Sequence, residues 1–295
     1  MGKIKRYISE DGSVVMLVAD TTSIVYRAEQ IHKTSAVVTA ALGRLLTASS
    51  LMGSMLKNED SSVTLRMAGG GPCGSIIAVS DFQGNPRGYV QNPVVELELN
   101  QYGKLDVSGA VGKDGYLYVI RDLGFGEPYV GQIPIVSGEI AEDIATYYAN
   151  SEQIPTVCAL GVLVDTDLTV KCAGGYLIQL LPGASEETIT ALEDNINNSQ
   201  PITEMLNKGM SLDEIVETAL KGFSPQLLDE GSIEYRCNCS KHRVEQALIS
   251  VGREELEKIA EEEKETQVEC HFCDKKYVFS NQEIRNLINN STSDR

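Results

Sequence analysis

A chain of 295 residues with a net charge of −17 and a pI near 4.6 is repelled by phosphate backbones and anionic lipid, so neither nucleic acid nor a membrane is an expected partner. Hydrophobic residues make up 42% of it, enough for a sizeable core. Trp is absent and aromatics are only 6%, so that core is mostly aliphatic. No run approaches the roughly 18 apolar residues of a membrane span. The opening MGKIKRYISEDG has no apolar signal core, and Arg6 stands where a myristoylation site needs Ser or Thr. A cytoplasmic protein of about two domains is expected.

Residues 1 to 183 are low in charge, glycine-rich and strand-like. SVVMLVAD (13–20), SSVTLRMAG (61–69), GSIIAVS (74–80) and GYLYVIRDL (115–123) are β-branched, partly alternating runs between turn signals. DFQGNPRGY (81–89) reads as a tight hairpin connection. PTVCALGVLVD and LTVKCAGGYLIQLLPG are joined by Asp165-Thr166-Asp167 as a second hairpin. Helices interrupt the strands. In 34–56, Val37, Ala40, Ala41, Leu45 and Ala48 repeat at helical spacing. In 137–153, Ser137 is the candidate N-cap, with Glu139 and Glu142 in the first turns. Strands and helices mix without βαβ alternation, so the fold class is α+β, a mixed β-sheet core domain covered by helices.

After Pro182-Gly183 the pattern turns helical in short pieces. Ile189, Leu192 and Ile196 form one stripe. Pro201 starts a second helix that Gly209 stops. Ser211-x-x-Glu214 is a capping box ahead of Leu212, Ile215, Val216, Ala219 and Leu220, and Gly222 ends that helix. Three such short amphipathic helices cannot stand alone, so 184–234 is expected to be a helical linker docked on the first domain. It is acidic as well: from Ser185 to Glu234 eleven acidic residues face two basic ones, Lys208 and Lys221.

The terminal domain, 235–295, holds four of the seven cysteines as C-x-C, thirty residues, then C-x-x-C. Clustered cysteines in a reducing compartment bind metal or do redox chemistry rather than form a disulfide framework. Two close pairs supply the four soft ligands of a tetrahedral zinc: Cys237, Cys239, Cys270 and Cys273. Arg236, Lys241, Arg243, Lys275 and Lys276 can balance the charge of a zinc tetrathiolate. His242 and His271 are spare, because four thiolates complete the shell. VEQALI and REELEKIAEEEKE (253–265) read as helices separated by Gly252. VECHFCDKKYVF reads as strand, knuckle, strand, and Ser280-x-x-Glu283 caps a last helix. So small and charged a domain should owe its fold to the metal. Zinc-bound thiolates are also what oxidants attack first, so oxidation is a plausible trigger for release.

These residues resemble the redox-regulated heat-shock protein 33 chaperones. The likeness rests on the cysteine spacing near the C-terminus, GEPYVGQIPIVSGEIAEDIATYYANSEQIPT (126–156) and GGYLIQLLPGA (174–184), and it spans the whole chain. The resemblance implies an ATP-independent cytoplasmic holdase that is zinc-bound and inactive when reduced. Oxidation would form disulfides Cys237–Cys239 and Cys270–Cys273, release zinc and unfold the linker. The active form would dimerise and hold unfolded or partially folded client proteins.

The other features carry no chemistry. Cys73, Cys158 and Cys172 read as small buried hydrophobes. AGGGPCGS (68–75) lacks the Lys-Ser/Thr of a phosphate loop. The methionines at 52, 55, 205 and 210 are core filler or an adaptable client surface, with core filler favoured. Glu139, Glu142 and Asp143 are ordinary acids of a helix start. His32 is isolated and is placed on a helix face. No catalytic triad can be assembled, and no enzyme is expected. Two other readings are a constitutive protein-interaction adaptor structured by zinc and an oxidoreductase. The second is weaker, because CHFC does not open the helix of a βαβ unit.

Overall fold

The computed structural model describes residues 1–262 and 265–290, in two units, Met1–Arg236 and Cys237–Arg295. The first is built on two antiparallel five-stranded sheets. One contains β1 (Gly2–Ile8), β2 (Val14–Asp20), β8 (Thr156–Val164), β9 (Val170–Leu180) and β10 (Gln226–Ile233), in the order β10-β1-β2-β9-β8. The other contains β3 (Ser62–Ala68), β4 (Ile76–Asp81), β5 (Pro86–Val90), β6 (Tyr116–Asp122) and β7 (Tyr129–Pro134), in the order β5-β4-β3-β6-β7. Both sequence-read hairpins form: β4 turns into β5 within 81–89, and β8 turns into β9 at Asp165, whose N–H bonds the Thr169 carbonyl at 2.8 Å.

Helices α1 (Thr22–His32) and α2 (Ala36–Gly53) follow β2. α2 packs on β4 and β5 of one sheet and on β8 and β9 of the other, so nearly every residue of it is buried. That is why it lacks the polar face of a surface helix. Among the described residues α2 is the one helix long and apolar enough to cross a membrane, and it is buried inside the protein. His32 does end a helix, α1.

The helix read over 137–153 is shorter than expected. After α3 (Val107–Val111) comes α4, spanning only Ala141–Tyr147 and running into one π-helical turn, Tyr148–Glu152. Ser137 is not its N-cap. Gly138 and Ile140 take positive φ, and the fully buried Asp143 instead accepts the backbone N–H groups of Val136, Ser137 and Ile140 at 2.7–3.0 Å. Asp143 is therefore a folding residue of the 136–140 turn rather than a surface acid.

The expected short helices are α5 (Glu186–Asn197), α6 (Ile202–Asn207) and α7 (Leu212–Ala219). They lie on the outer face of the first sheet in an apolar cluster of their own. Tyr7, Val14, Met16, Val18, Tyr176 and Ile178 meet Leu192, Ile202, Met205, Leu212, Ile215 and Val216 there. α6 approaches β8 so closely at Gly161 that a Cβ would lie 2.5 Å from Thr203 Cγ2. The Ser211 capping box forms, with Ser211 N to Glu214 Oε2 at 2.7 Å and Glu214 N to Ser211 Oγ at 3.3 Å.

The final part of 184–234 is not helical. Gln226–Ile233 is β10, paired antiparallel with β1, a strand that the sequence reading also missed. Charge joins them: Lys5 meets Glu230 at 3.3 Å and Arg6 meets Asp229 at 3.5 Å. Beyond β10, Tyr235 donates its hydroxyl to the Gly88 carbonyl at 2.8 Å and Arg236 N–H bonds the Pro86 carbonyl at 3.1 Å.

A polar clamp seats α7 on β1. Asp213 accepts from Lys5 Nζ at 2.9 Å and from the Tyr7 hydroxyl. The hydrogen bonds from Tyr7 and Lys5 hold the Asp213 carboxyl below its usual range. Burial, with the bond to Asp213, pushes the Tyr7 phenol up to about 12. A depressed carboxyl contributes stability that is present above its unfolded value, about 3.9, and lost as pH falls through its folded value. A raised phenol contributes below about 10 and loses it as pH climbs through its folded value. Docking of α7 should therefore hold between about pH 4 and 10 and weaken on both sides. Hydrogen exchange at 212–219 against pH checks this. Asp213→Asn should flatten the acid limb, and an unchanged limb would remove the clamp from the account.

Candidate metal centre

The second unit is small. It comprises α8 (Lys241–Val251), α9 (Arg253–Glu262), β11 (Glu265–Glu269), β12 (Lys276–Ser280) and α10 (Asn281–Asn290). The helical reading of 253–265 holds for α9; Glu263 and Lys264 lie outside the described residues, and Glu265 opens β11. Leu248, Leu256, Ala260, Tyr277, Phe279, Ile284 and Ile288 are its buried apolar residues.

The two cysteine pairs sit on two tight pieces of backbone. Ser240, directly after the C-x-C pair, caps α8 by accepting Arg243 N–H at 3.2 Å. The C-x-x-C pair closes a knuckle between β11 and β12. Cys270 N–H bonds Lys275 O at 3.0 Å, Cys270 O accepts from Asp274 N at 2.8 Å, and Asp274 itself takes φ 56°. The hairpin register Val268↔Tyr277 and Glu269↔Lys276 fixes the knuckle.

All four predicted sulfurs come together: Sγ of Cys237, Cys239, Cys270 and Cys273 lie within 4.8 Å of one another. Cys237 and Cys270 are 3.7 Å apart, and Cys239 and Cys273 are 3.5 Å apart. Four sulfurs each about 2.3 Å from a central zinc stand about 3.8 Å from one another at the corners of a tetrahedron. The observed spacing fits that set, and the cluster is able to hold a metal ion. None of the seven cysteines is in a disulfide.

A residue missed in the sequence completes the surroundings. Tyr277 donates its hydroxyl to Cys239 Sγ at 3.1 Å. Burial pushes the Cys239 thiol up, but the hydrogen bonds from Tyr277 and the neighbouring thiols outweigh it and bring it down to about 7. Burial holds Cys237 and Cys273 high. One sulfur is thus close to thiolate at neutral pH, the form that ligates metal. The available signal was an aromatic four residues past the knuckle, which carries no ligand spacing of its own.

The cations are placed less simply than the sequence suggested. Arg236 belongs to the first unit and is engaged by Glu234 at 2.9 Å and Asp81 at 3.8 Å. Lys241 pairs with Glu283 and lies 5.0 Å over the Phe279 ring, and Lys275 lies 5.1 Å over Tyr277. His242 is exposed and faces Glu245 at 3.7 Å. Elsewhere, Cys73 and Cys172 are buried and Cys158 is half-buried; burial raises all three thiols, Cys73 to about 11, so they are held protonated.

The chain matches a family model described as Hsp33 protein over residues 2–280. It is 44% identical to a 33 kDa chaperonin of Clostridium botulinum over 293 residues, 99% of each chain. It is 46% identical to the 33 kDa chaperonin of Clostridium acetobutylicum over 287 residues, 97% of each. The crystal structure of the 33 kDa chaperonin (heat shock protein 33 homolog) of Thermotoga maritima superimposes with a TM-score of 0.90 at 36% identity, covering 99% of both chains. A whole-chain match in sequence and in fold, with both sheets and the four-sulfur cluster in place, makes this chain a member of the Hsp33 family of non-enzymatic chaperones.

Proposed function

We propose that this protein is a redox-regulated, ATP-independent holdase of the cytoplasm, with labour divided among a core (1–183), a metastable linker (184–234) and a redox sensor (235–295). In the reduced state Cys237, Cys239, Cys270 and Cys273 hold one zinc ion. That ion supplies cross-linking of two chain segments thirty residues apart, and no catalysis is asked of it. The observation that carries the reading is the four-sulfur cluster at tetrahedral spacing in a unit with so small a core.

Oxidation acts on the sulfurs. Each disulfide takes two electrons and two protons from a cysteine pair, and peroxide receives them to become two waters. In the folded centre the close approaches at 3.5 and 3.7 Å run between the pairs, 237 to 270 and 239 to 273. As oxidation begins to free the two segments from the metal, closing such a long loop costs about 2 kcal/mol more chain entropy than closing the short ones. That favours Cys237–Cys239 and Cys270–Cys273. A disulfide no longer ligates as two thiolates do, so the sensor melts and the linker loosens. The apolar face under α5–α7 then becomes available to unfolded or partially folded clients, and the activated form dimerises.

The test treats zinc-loaded protein with peroxide at mild heat. Zinc release, protease sensitivity of 184–222 and suppression of a client's aggregation are followed together. All three should rise in step. Full zinc retention with no protection of the client would refute the switch and leave a constitutive zinc-structured adaptor as the better reading.

A further inference from the structure

Among the described residues β8 is the last strand of its sheet, so one of its edges pairs with no strand. Its nine residues, TVCALGVLV, carry no charge. Leu160, Val162 and Val164 pack toward the core that contains α2, while Ala159 and Gly161 face the α6 side. Both faces are therefore covered and only the hydrogen-bonding edge is open. Edge strands are ordinarily protected by charge, proline or a cover, because a bare edge templates further pairing. The β8 edge lies instead along a groove of about 840 Å³ whose walls include Ala40 and Arg44 of α2 and Ile202 of α6.

The same groove is lined by Leu99, Lys104 and Leu105, from a segment that belongs to no strand. That segment contains VVELEL (94–99), with Val95, Leu97 and Leu99 alternating with Glu96 and Glu98 in the period-two pattern of a strand. Val94, Leu97 and Leu99 are nevertheless exposed, at 65%, 40% and 59%. The stretch is tethered at its N-terminal end, and its C-terminal end runs into a local turn closed by Asn100. Ser35 Oγ donates to Val95 O at 2.7 Å and accepts from Val95 N at 3.1 Å; Asn100 Oδ1 accepts the N–H groups of Tyr102 and Lys104 at 3.0 and 3.1 Å. Both ends stand beside the groove, since Ala36 follows Ser35 and Leu99 precedes Asn100. Six extended residues span about 20 Å, the length of 159–164 on the groove floor.

We propose that residues 94–99 are a strap that closes onto the free edge of β8 as a sixth strand. Closure satisfies backbone groups on both segments and buries Leu97 and Leu99. It also hides an uncharged edge that an extended polypeptide could otherwise join by strand addition. Lys104, which lines the groove, is a cationic partner for Glu96 or Glu98, while Arg44 on the same wall is held by Glu139. The inference needs neither the metal nor oxidation.

Hydrogen exchange on the reduced, zinc-loaded full chain tests it. Alternate amides of 94–99 and of 159–165 should exchange at least about tenfold more slowly than unstructured chain, as local structure requires. The protection should not change with protein concentration. Leu97→Pro and Glu98→Pro are made separately, because neighbouring amides point in opposite directions. One of them should return both segments to fast exchange while the melting temperature and the protection of α2 and β9 stay put. Unstructured rates at 94–99 in the native chain would overturn the proposal. So would two silent proline variants, or protection that grows with concentration, which would assign the edge to a second copy.

Discussion

Chelating the metal at neutral pH will unfold the unit that begins at Cys237, loosen 184–222, and leave the two sheets of the first unit folded. Among the described residues seven buried apolar side chains hold the second unit together, and α9 is exposed along most of its length. A core of that size supplies about 3–5 kcal/mol. Structural zinc in small finger peptides contributes about 10–16 kcal/mol apparent, so the metal dominates. Surface pairs do not make up the difference. Arg253–Glu257 and Lys258–Glu255 are exposed helix pairs, each worth a few tenths of a kcal/mol. Cys270→Ser should act like the chelator, since one lost thiolate leaves three and frees half the knuckle. Exchange of the 276–280 amides reports the outcome. Protection of Tyr277, Val278 and Phe279 that survives complete metal removal would show that the apolar core suffices, and the sensor reading would fall with it.

Replacing Ile215 with Ala should open the linker without touching the sensor. Ile215 is fully buried in α7 and faces the sheet with Val216, Ala219 and Leu220. The three linker helices are 12, 6 and 8 residues long, at or below the length at which isolated helices are marginal in water. Their stability comes from the face they bury, and truncating a buried Ile costs about 2–5 kcal/mol. A loss of about 2–4 kcal/mol raises the open population roughly 30- to 800-fold. The main core between the sheets is a separate cluster that does not contain Ile215, so β3 to β6 should keep their protection. Glu217→Ala, on the exposed side of the same helix, is the matched control and should shift stability by less than about 0.5 kcal/mol. Fast exchange confined to 186–220, with holdase activity in the absence of oxidant, is the expected result. Wild-type protection at 212–219 would mean that the helices are held by something other than this face.

Legibility differed element by element. The β8–β9 hairpin could be read because its turn, Asp165-Thr166-Asp167, lies between two apolar runs and local chemistry decides it. The capping boxes at Ser211 and Ser280 could be read for the same reason: donor and acceptor are three residues apart. β1 and β10 could not. GKIKRYI and QLLDEGSI look like a basic start and an acidic linker end, and they become strands only when their backbones pair across more than two hundred residues. The start of α4 was misplaced because the decisive residue, Asp143, caps backwards into a turn whose positive φ at Ile140 no propensity anticipates. Tyr277 was passed over because a hydroxyl that aims at a sulfur leaves no trace in spacing.

By itself, the sequence determined which atoms could do chemistry: four sulfurs in two close pairs, three amphipathic helices too short to stand alone, and an aliphatic core. These follow from spacing and period, which are properties of neighbours along the chain. Only the tertiary structure decided that the two pairs converge to within 4.8 Å, that Asp213 is clamped by Lys5 and Tyr7, and that the edge of β8 is left open beside an exposed strand-like segment. Those are meetings between distant segments. They depend on which charges and edges remain unsatisfied after local structure has formed, and no local window of sequence contains both partners.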